Sequence, residues 1–125
     1  MGQTMRRNLF LLPAIGLAGL ILWGALNAVP PIPRVFGHQD KIEHFLAFAG
    51  LALWLTAGLG PKRLYSALAL SAVSAVGLEV AQLLLSPTRT ASLPDILASL
   101  AGILAAAVFM LIARQMISSR QIRAA

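Results

Sequence analysis

The chain has 125 residues, of which 58% are hydrophobic and only 11% charged, where an average soluble domain carries about 25% charged residues. This composition argues against a water-soluble globular domain and excludes intrinsic disorder, which needs low hydrophobicity. Ten Lys/Arg against four Asp/Glu give a net charge of +6, and there is no cysteine, which removes disulfides, thiolate metal sites and CxxC redox motifs. The length fits one domain, residues 1–125. No zinc-finger or RNP-like pattern accompanies the basic surplus, so no nucleic-acid partner is expected and the charge is read as membrane topology.

A bilayer span needs about 20 mostly apolar residues, and the charged positions divide the chain into four such segments. The first, 8–28, lies in the charge-free stretch between Arg7 and Arg34. Its apolar run Leu9–Leu26 is longer than the h-region of a signal peptide, and its end, ALNA, is a poor cleavage site, so it is expected to remain as a helix. Pro30, Pro31 and Pro33 then predict an extended, helix-breaking segment. The second span, 41–59, ends at Gly60-Pro61. The third, 64–85, is interrupted only by Glu79 and ends at Ser86-Pro87-Thr88. The fourth, 95–113, runs up to Arg114. The predicted fold is therefore an all-α bundle of four transmembrane helices. Gly16, Gly19, Gly50, Gly77 and Gly102 are candidate points of close helix contact.

With four spans, both termini and the 60–63 turn share one side. That side holds Arg6, Arg7, Lys62, Arg63, Arg114, Arg120 and Arg123, against Arg34, Lys41 and Arg89 on the other. Positive charge near short loops marks the cytoplasmic side, so both termini are expected to be cytoplasmic, in a multi-pass membrane protein. All four acids and both histidines then fall at the outer end, where any binding or chemistry should lie.

Asp40-Lys41-Ile42-Glu43-His44 opens the second span. Asp40 and His44 are spaced i, i+4 and share a helix face. Asp40 as N-cap with Glu43 three residues on fits a capping box, and Ser92 with Asp95 fits a second one at the start of span four. Glu79 is the most informative residue. It sits about 9 Å inside its helix end at a rise of about 1.5 Å per residue. A charge at mid-bilayer costs about 2.5–3.5 kcal/mol on insertion scales, so intramembrane acids face the bundle interior and mark functional sites. The bland alternative is a structural ion pair with Lys41 or Arg89. Gln82 follows on the same face. Asp40, Lys41, His44, Glu79, Gln82, Arg89 and Asp95 all map to one end of the bundle.

Three blocks, DKIEHFLAF at 40–48, GLEVAQ at 77–82 and RTASLPDILASLAG at 89–102, make the chain resemble the VanZ-like family of small bacterial membrane proteins. They are similar to its D-K-x-x-H-F-x-x-F, E-x-x-Q and R-x-x-x-x-x-D-x-x-x-N-x-x-G elements, and the resemblance covers roughly residues 30–113. It assigns the family-type positions to Asp40, Lys41, His44, Phe45, Glu79, Gln82, Arg89, Asp95 and Gly102. This chain has Ser99 where many relatives have Asn, so a polar contact from that position is expected to be weak or absent. The resemblance implies an integral membrane protein of the cell envelope, in a family named for an association with teicoplanin resistance. It implies neither a settled mechanism nor resistance for this member.

Three functions compete at the outer cluster. The first is binding of an anionic lipid or lipid-linked envelope precursor, with Lys41 and Arg89 on the phosphate and Asp40 and Glu79 orienting those bases or His44. The second is an intramembrane enzyme using His44 and Glu79 as an acid/base pair. No GxSxG elbow or P-loop supports it, so no catalytic residue is assigned. The third is a structural helical subunit, a homo-oligomer or a membrane-protein partner, whose polar cluster locks the bundle. A metal would need His44, Glu79 and Asp95 or His38 as ligands. HExxH is absent and the two histidines do not share a helix face, so no metal or other cofactor is assigned. No continuous polar path crosses the bundle, which disfavours a channel.

Overall fold

The computed structural model describes residues 3–27 and 32–124. Pro30 and Pro31 of the expected proline-rich segment lie outside the described residues, as do the side chains of Arg6 and Arg123. Among the described residues there is no strand. The helices are α1 (Gln3–Leu9), α2 (Leu11–Leu26), α3 (Gln39–Leu59), α4 (Leu64–Leu85) and α5 (Leu93–Ala124), with a 3-10 turn at Pro61–Arg63 between α3 and α4. Four of the helical segments are long and apolar enough to cross a membrane: Arg7–Leu26, Gln39–Leu59, Pro61–Leu85 and Leu93–Gln121. This is the layout of a multi-pass membrane protein.

Of the boundaries that differ from expectation, three have a clear local reason. The first span is broken at Phe10, whose N–H bonds to the Arg7 carbonyl at 3.0 Å, one residue short of helical spacing. Pro13 explains the break: it has no N–H for the Leu9 carbonyl, and its ring crowds that carbonyl. Helix α3 starts at Gln39, not at Lys41, because Gln39 ties down the incoming chain. Its Oε1 accepts the Val35 N–H at 2.8 Å and its Nε2 donates to the Pro33 carbonyl at 2.9 Å. Helix α5 continues eleven residues past the expected end at Ala113. Arg114 ends the apolar run, but nothing after it breaks a helix, and Ala, Arg, Gln and Met are good helix formers.

Successive helices run up and down. Helices α2 and α4 end at the pole where α3 and α5 begin. At the opposite pole, Arg7 Nε donates to the Gly58 carbonyl at 3.2 Å and Arg114 Nη2 donates to the Pro61 carbonyl at 2.6 Å. These two basic residues occupy carbonyls at the C-terminal end of α3 and the following turn, where a cation suits the helix dipole. Gly60 makes that turn with φ +86°, a conformation suited to glycine.

The core is thin and built from small and apolar side chains, including Ala14, Phe48, Ala52, Ala75, Leu78 and Ile103. Large apolar side chains face outward on every spanning helix, among them Leu12, Trp23, Leu53, Val73, Leu84 and Phe109. That arrangement is unfavourable in water and suits surrounding hydrocarbon. Helices α3 and α5 run parallel and make the most extensive contact in the bundle. Gly102 permits it, since a Cβ there would collide with the Phe45 backbone carbonyl oxygen. Among the other expected contact glycines, Gly50 touches Leu17, whereas Gly16, Gly19 and Gly77 have open space where a Cβ would go. Gly58, not expected, is packed under Leu11.

Replacing Gly102 by Ala must push α3 and α5 apart. Overpacking of this kind costs about 1–3 kcal/mol. Gly102→Ala is therefore expected to lower the unfolding temperature in detergent clearly, while Gly77→Ala leaves it unchanged or slightly raised.

Candidate functional site

The pole where α3 and α5 begin brings the sequence-predicted residues together. Lys41 of α3 donates to Asp40 Oδ2 at 2.9 Å and to Asp95 Oδ1 of α5 at 3.0 Å. His44, one turn further along α3, has Nδ1 3.2 Å from Ser99 Oγ and Nε2 4.0 Å from Asp95 Oδ2. Its ring also stacks on Phe48, with centroids 6.4 Å apart. From α4, Glu79 reaches the start of α5 and Gln82 reaches the end of α2. Gln82 Nε2 donates to the Ala25 carbonyl at 3.2 Å, one of the carbonyls a helix end leaves without an internal partner.

Glu79 is 2% exposed. Its Oε2 accepts the Ser92 backbone N–H at 2.7 Å. Ser92 immediately precedes α5, and its own carbonyl accepts from Asp95 and Ile96 N–H. In the expected capping box, the Ser92 N–H would go to the Asp95 side chain. Glu79 of the neighbouring helix takes that place, and Asp95 is left to meet Lys41. The other expected capping box is also absent. His38, in a left-handed conformation (φ 63°), precedes α3 with no side-chain cap, and Asp40 falls inside the first turn. Glu43 instead accepts from Gln39 Nε2 at 2.8 Å. No ion pair joins Glu79 to Lys41 or Arg89, so the structural alternative considered for it is replaced by a helix cap. Its second oxygen, Oε1, is buried without a hydrogen-bond partner among the described residues.

Ser99 corrects a further expectation. It is 1% exposed, and its Oγ makes two contacts, to His44 Nδ1 and to the Asp95 carbonyl at 2.9 Å. A polar link from this position is therefore present.

Two cavities meet at this pole. A polar one of about 340 Å³ is lined by Arg34, His44, Gln82, Thr88, Arg89 and Asp95, among others. An apolar groove of about 410 Å³ runs beside it, lined by Leu17, Trp23, Leu46, Phe48 and Leu78 from α2, α3 and α4. His44 and Arg89 border both. Arg89 sits on a loop held by its own N–H bond to Ser86 Oγ at 3.1 Å. Among the described residues, neither Arg34 nor Arg89 has an ion-pair partner within 4.0 Å. Lys41, paired with two carboxylates, is the cation of the cluster already spent. Arg34 and Thr88 line the cavity although their residue types and spacing do not mark them as site residues in the sequence. Arg34 lies in the irregular segment before α3, and only folding brings it to the cavity. His38 is exposed and stands apart from the cluster.

Comparison with known proteins finds no matching family model and no significant match among curated proteins or solved structures.

Lys41 joins α3 to α5, and Asp95 is largely buried (side chain 13% exposed). A hydrogen bond to a charged group contributes about 1.5–3 kcal/mol. Lys41→Met is expected to destabilise the protein by about that amount in thermal unfolding. The double variant Lys41→Met/Asp95→Leu should recover part of the loss, because it no longer buries an unpaired carboxylate.

Proposed function

We propose that the chain is a VanZ-like protein of a bacterial cytoplasmic membrane that binds an anionic lipid or lipid-linked envelope precursor at the pole built by the starts of α3 and α5. The observation that carries this reading is the adjacency of a polar cavity bordered by two arginines and an apolar groove open along α2 and α3, with Arg89 and His44 shared between them. An amphiphile with a phosphate head and an acyl tail matches that division. Arg34 and Arg89 would take the head through charge-assisted, bidentate hydrogen bonds. The two helix N-termini at this pole add positive potential. The tail would lie in the groove beside Trp23 and Leu46.

Lys41 has a different part in this reading from the one the sequence suggests. It holds Asp95 and Asp40 in place and thereby shapes the cavity, and the phosphate falls to the arginines. The charge asymmetry supports cytoplasmic termini, an orientation that turns the pole to the outer leaflet. Shielding or relocating an envelope precursor there would alter access by teicoplanin-type glycopeptides.

Native mass spectrometry of protein taken from its membrane tests the reading. Wild type is expected to retain a defined anionic lipid, and Arg34→Ala/Arg89→Ala to lose it while keeping its fold. Equal retention by the two would remove the arginines from lipid binding and leave the cluster as a bundle lock. The orientation has its own check, made clean by the absence of native cysteine. A membrane-impermeant thiol reagent on intact cells should label Thr90→Cys and spare Gln121→Cys; the reverse pattern would overturn it.

A further inference from the structure

His44, Glu79 and Asp95 each place a ligand-type atom within 4.8 Å of the others. We propose that these three side chains form a binding site for a divalent cation of the zinc class at the junction of α3, α4 and α5. A cluster of such groups is common without a metal, and the case here rests on what each atom still lacks.

Glu79 supplies the first point. Its carboxylate is 2% exposed and only one oxygen is satisfied, by the Ser92 N–H. A buried unpartnered carboxylate oxygen is costly. The one other buried, unpartnered side-chain atom among the described residues is Thr56 Oγ1. A threonine hydroxyl in a helix reaches the carbonyl one turn back by a change of χ1, whereas a carboxylate oxygen needs a donor or a cation brought to it.

His44 supplies the second. A carbonyl oxygen only accepts, so the Ser99 hydroxyl donates its single proton to the Asp95 carbonyl. For the His44 contact to be a hydrogen bond, Nδ1 must carry the proton and Ser99 must accept it. In the neutral ring this leaves the lone pair on Nε2. That atom faces Asp95 Oδ2 at 4.0 Å. Two acceptors face each other there, and a cation between them satisfies both. A ligating histidine whose other nitrogen is fixed by a hydrogen bond is the usual arrangement at metal sites.

Charge supplies the third. Among the described residues, Asp40, Glu79 and Asp95 have one ion-pair partner of fixed charge within 4.0 Å between them, Lys41. Ligand distances of about 2.0–2.2 Å around a tetrahedral ion put donors about 3.4 Å apart. The three groups must therefore close by about an ångström, within the reach of side-chain rotation. One His and two carboxylates leave a fourth position open, as catalytic zinc sites do, and His44 and Asp95 both border the polar cavity. Nitrogen and oxygen donors without thiolate suit zinc better than a softer ion. The site stands independently of the lipid reading, since no arginine takes part in it.

The test uses tag-free protein in detergent, stripped with chelator, dialysed and titrated with Zn²⁺. One equivalent is expected to bind, to raise the unfolding temperature and to be removed again by chelator. Co²⁺ in its place should give the visible absorption of a low-coordinate nitrogen/oxygen site. Glu79→Gln and His44→Ala should abolish both signals. Ser99→Ala, which removes the hydroxyl held between the outer nitrogen of His44 and the Asp95 backbone carbonyl and none of the three ligand atoms, should weaken affinity about 10–100-fold. Arg89→Ala should bind Zn²⁺ normally even where it loses lipid, which separates this site from the headgroup reading. No stoichiometric Zn²⁺ on folded wild type, or binding unchanged in folded Glu79→Gln and His44→Ala, would overturn the proposal. Should those variants fail to fold, the wild-type titration decides it alone.

Discussion

Polar groups carried into an apolar bundle must find their partners inside it, because hydrocarbon offers none. That constraint falls hardest where helices end, since each end leaves backbone groups without internal partners. In this protein two helices begin, side by side and parallel, at one pole. Their exposed amides and aligned dipoles make the pole positive, and carboxylates collect there: Asp40 and Asp95 in the first turns of α3 and α5, and Glu79 from α4. The last is the telling one. A buried acid on α4 caps α5 through the Ser92 amide at 2.7 Å, so one helix depends on its neighbour for its own start. Gln82 does the reverse job at the end of α2. The polar residues that look catalytic in isolation are thus partly spent on closing the bundle.

What is spent and what is left decides the functional reading. Lys41 is spent twice, on Asp40 and Asp95, and Gln82 has its amide on Ala25. Arg34 and Arg89 keep their guanidiniums for the cavity, and Glu79 keeps one oxygen. A basic residue facing a cavity with no carboxylate within 4.0 Å can take an anion, and an acid oxygen without a donor can take a cation. The pole therefore has two distinct demands set side by side, the arginines toward the loop of residues 86–92 and the His44–Glu79–Asp95 group toward the core.

Much of this was legible in the residues. The four apolar segments, the stops at Gly60-Pro61 and Ser86-Pro87 and the convergence of seven polar positions follow from charge placement and helix breakers. The break at Phe10 departs from the unbroken span 8–28 expected, although its cause, Pro13, stands one turn on. Other features were not readable because they are tertiary. A backbone amide such as that of Ser92 carries no side-chain signature, so local spacing pointed to Asp95 as its partner and missed Glu79. Of five glycines chosen by frequency, only those facing a neighbouring backbone or side chain matter, and the facing direction is set by packing. Arg34 precedes its helix in an irregular stretch and becomes a cavity residue only through the path that Gln39 fixes.

Ser99 shows how the choice of one short polar side chain sets the chemistry of its neighbour, as a comparison with asparagine makes plain. An asparagine amide can donate to an imidazole nitrogen or accept from it, and either choice is compatible with a buried position. A donation to Nδ1 would put the neutral ring's proton on Nε2, facing the Asp95 carboxylate as a hydrogen-bond donor. Serine in an α-helix has its proton drawn to the carbonyl one turn back, which leaves it an acceptor toward Nδ1 and turns the Nε2 lone pair inward. With both Ser99 contacts made as hydrogen bonds, the short side chain on α5 favours the His44 tautomer whose Nε2 lone pair faces Asp95.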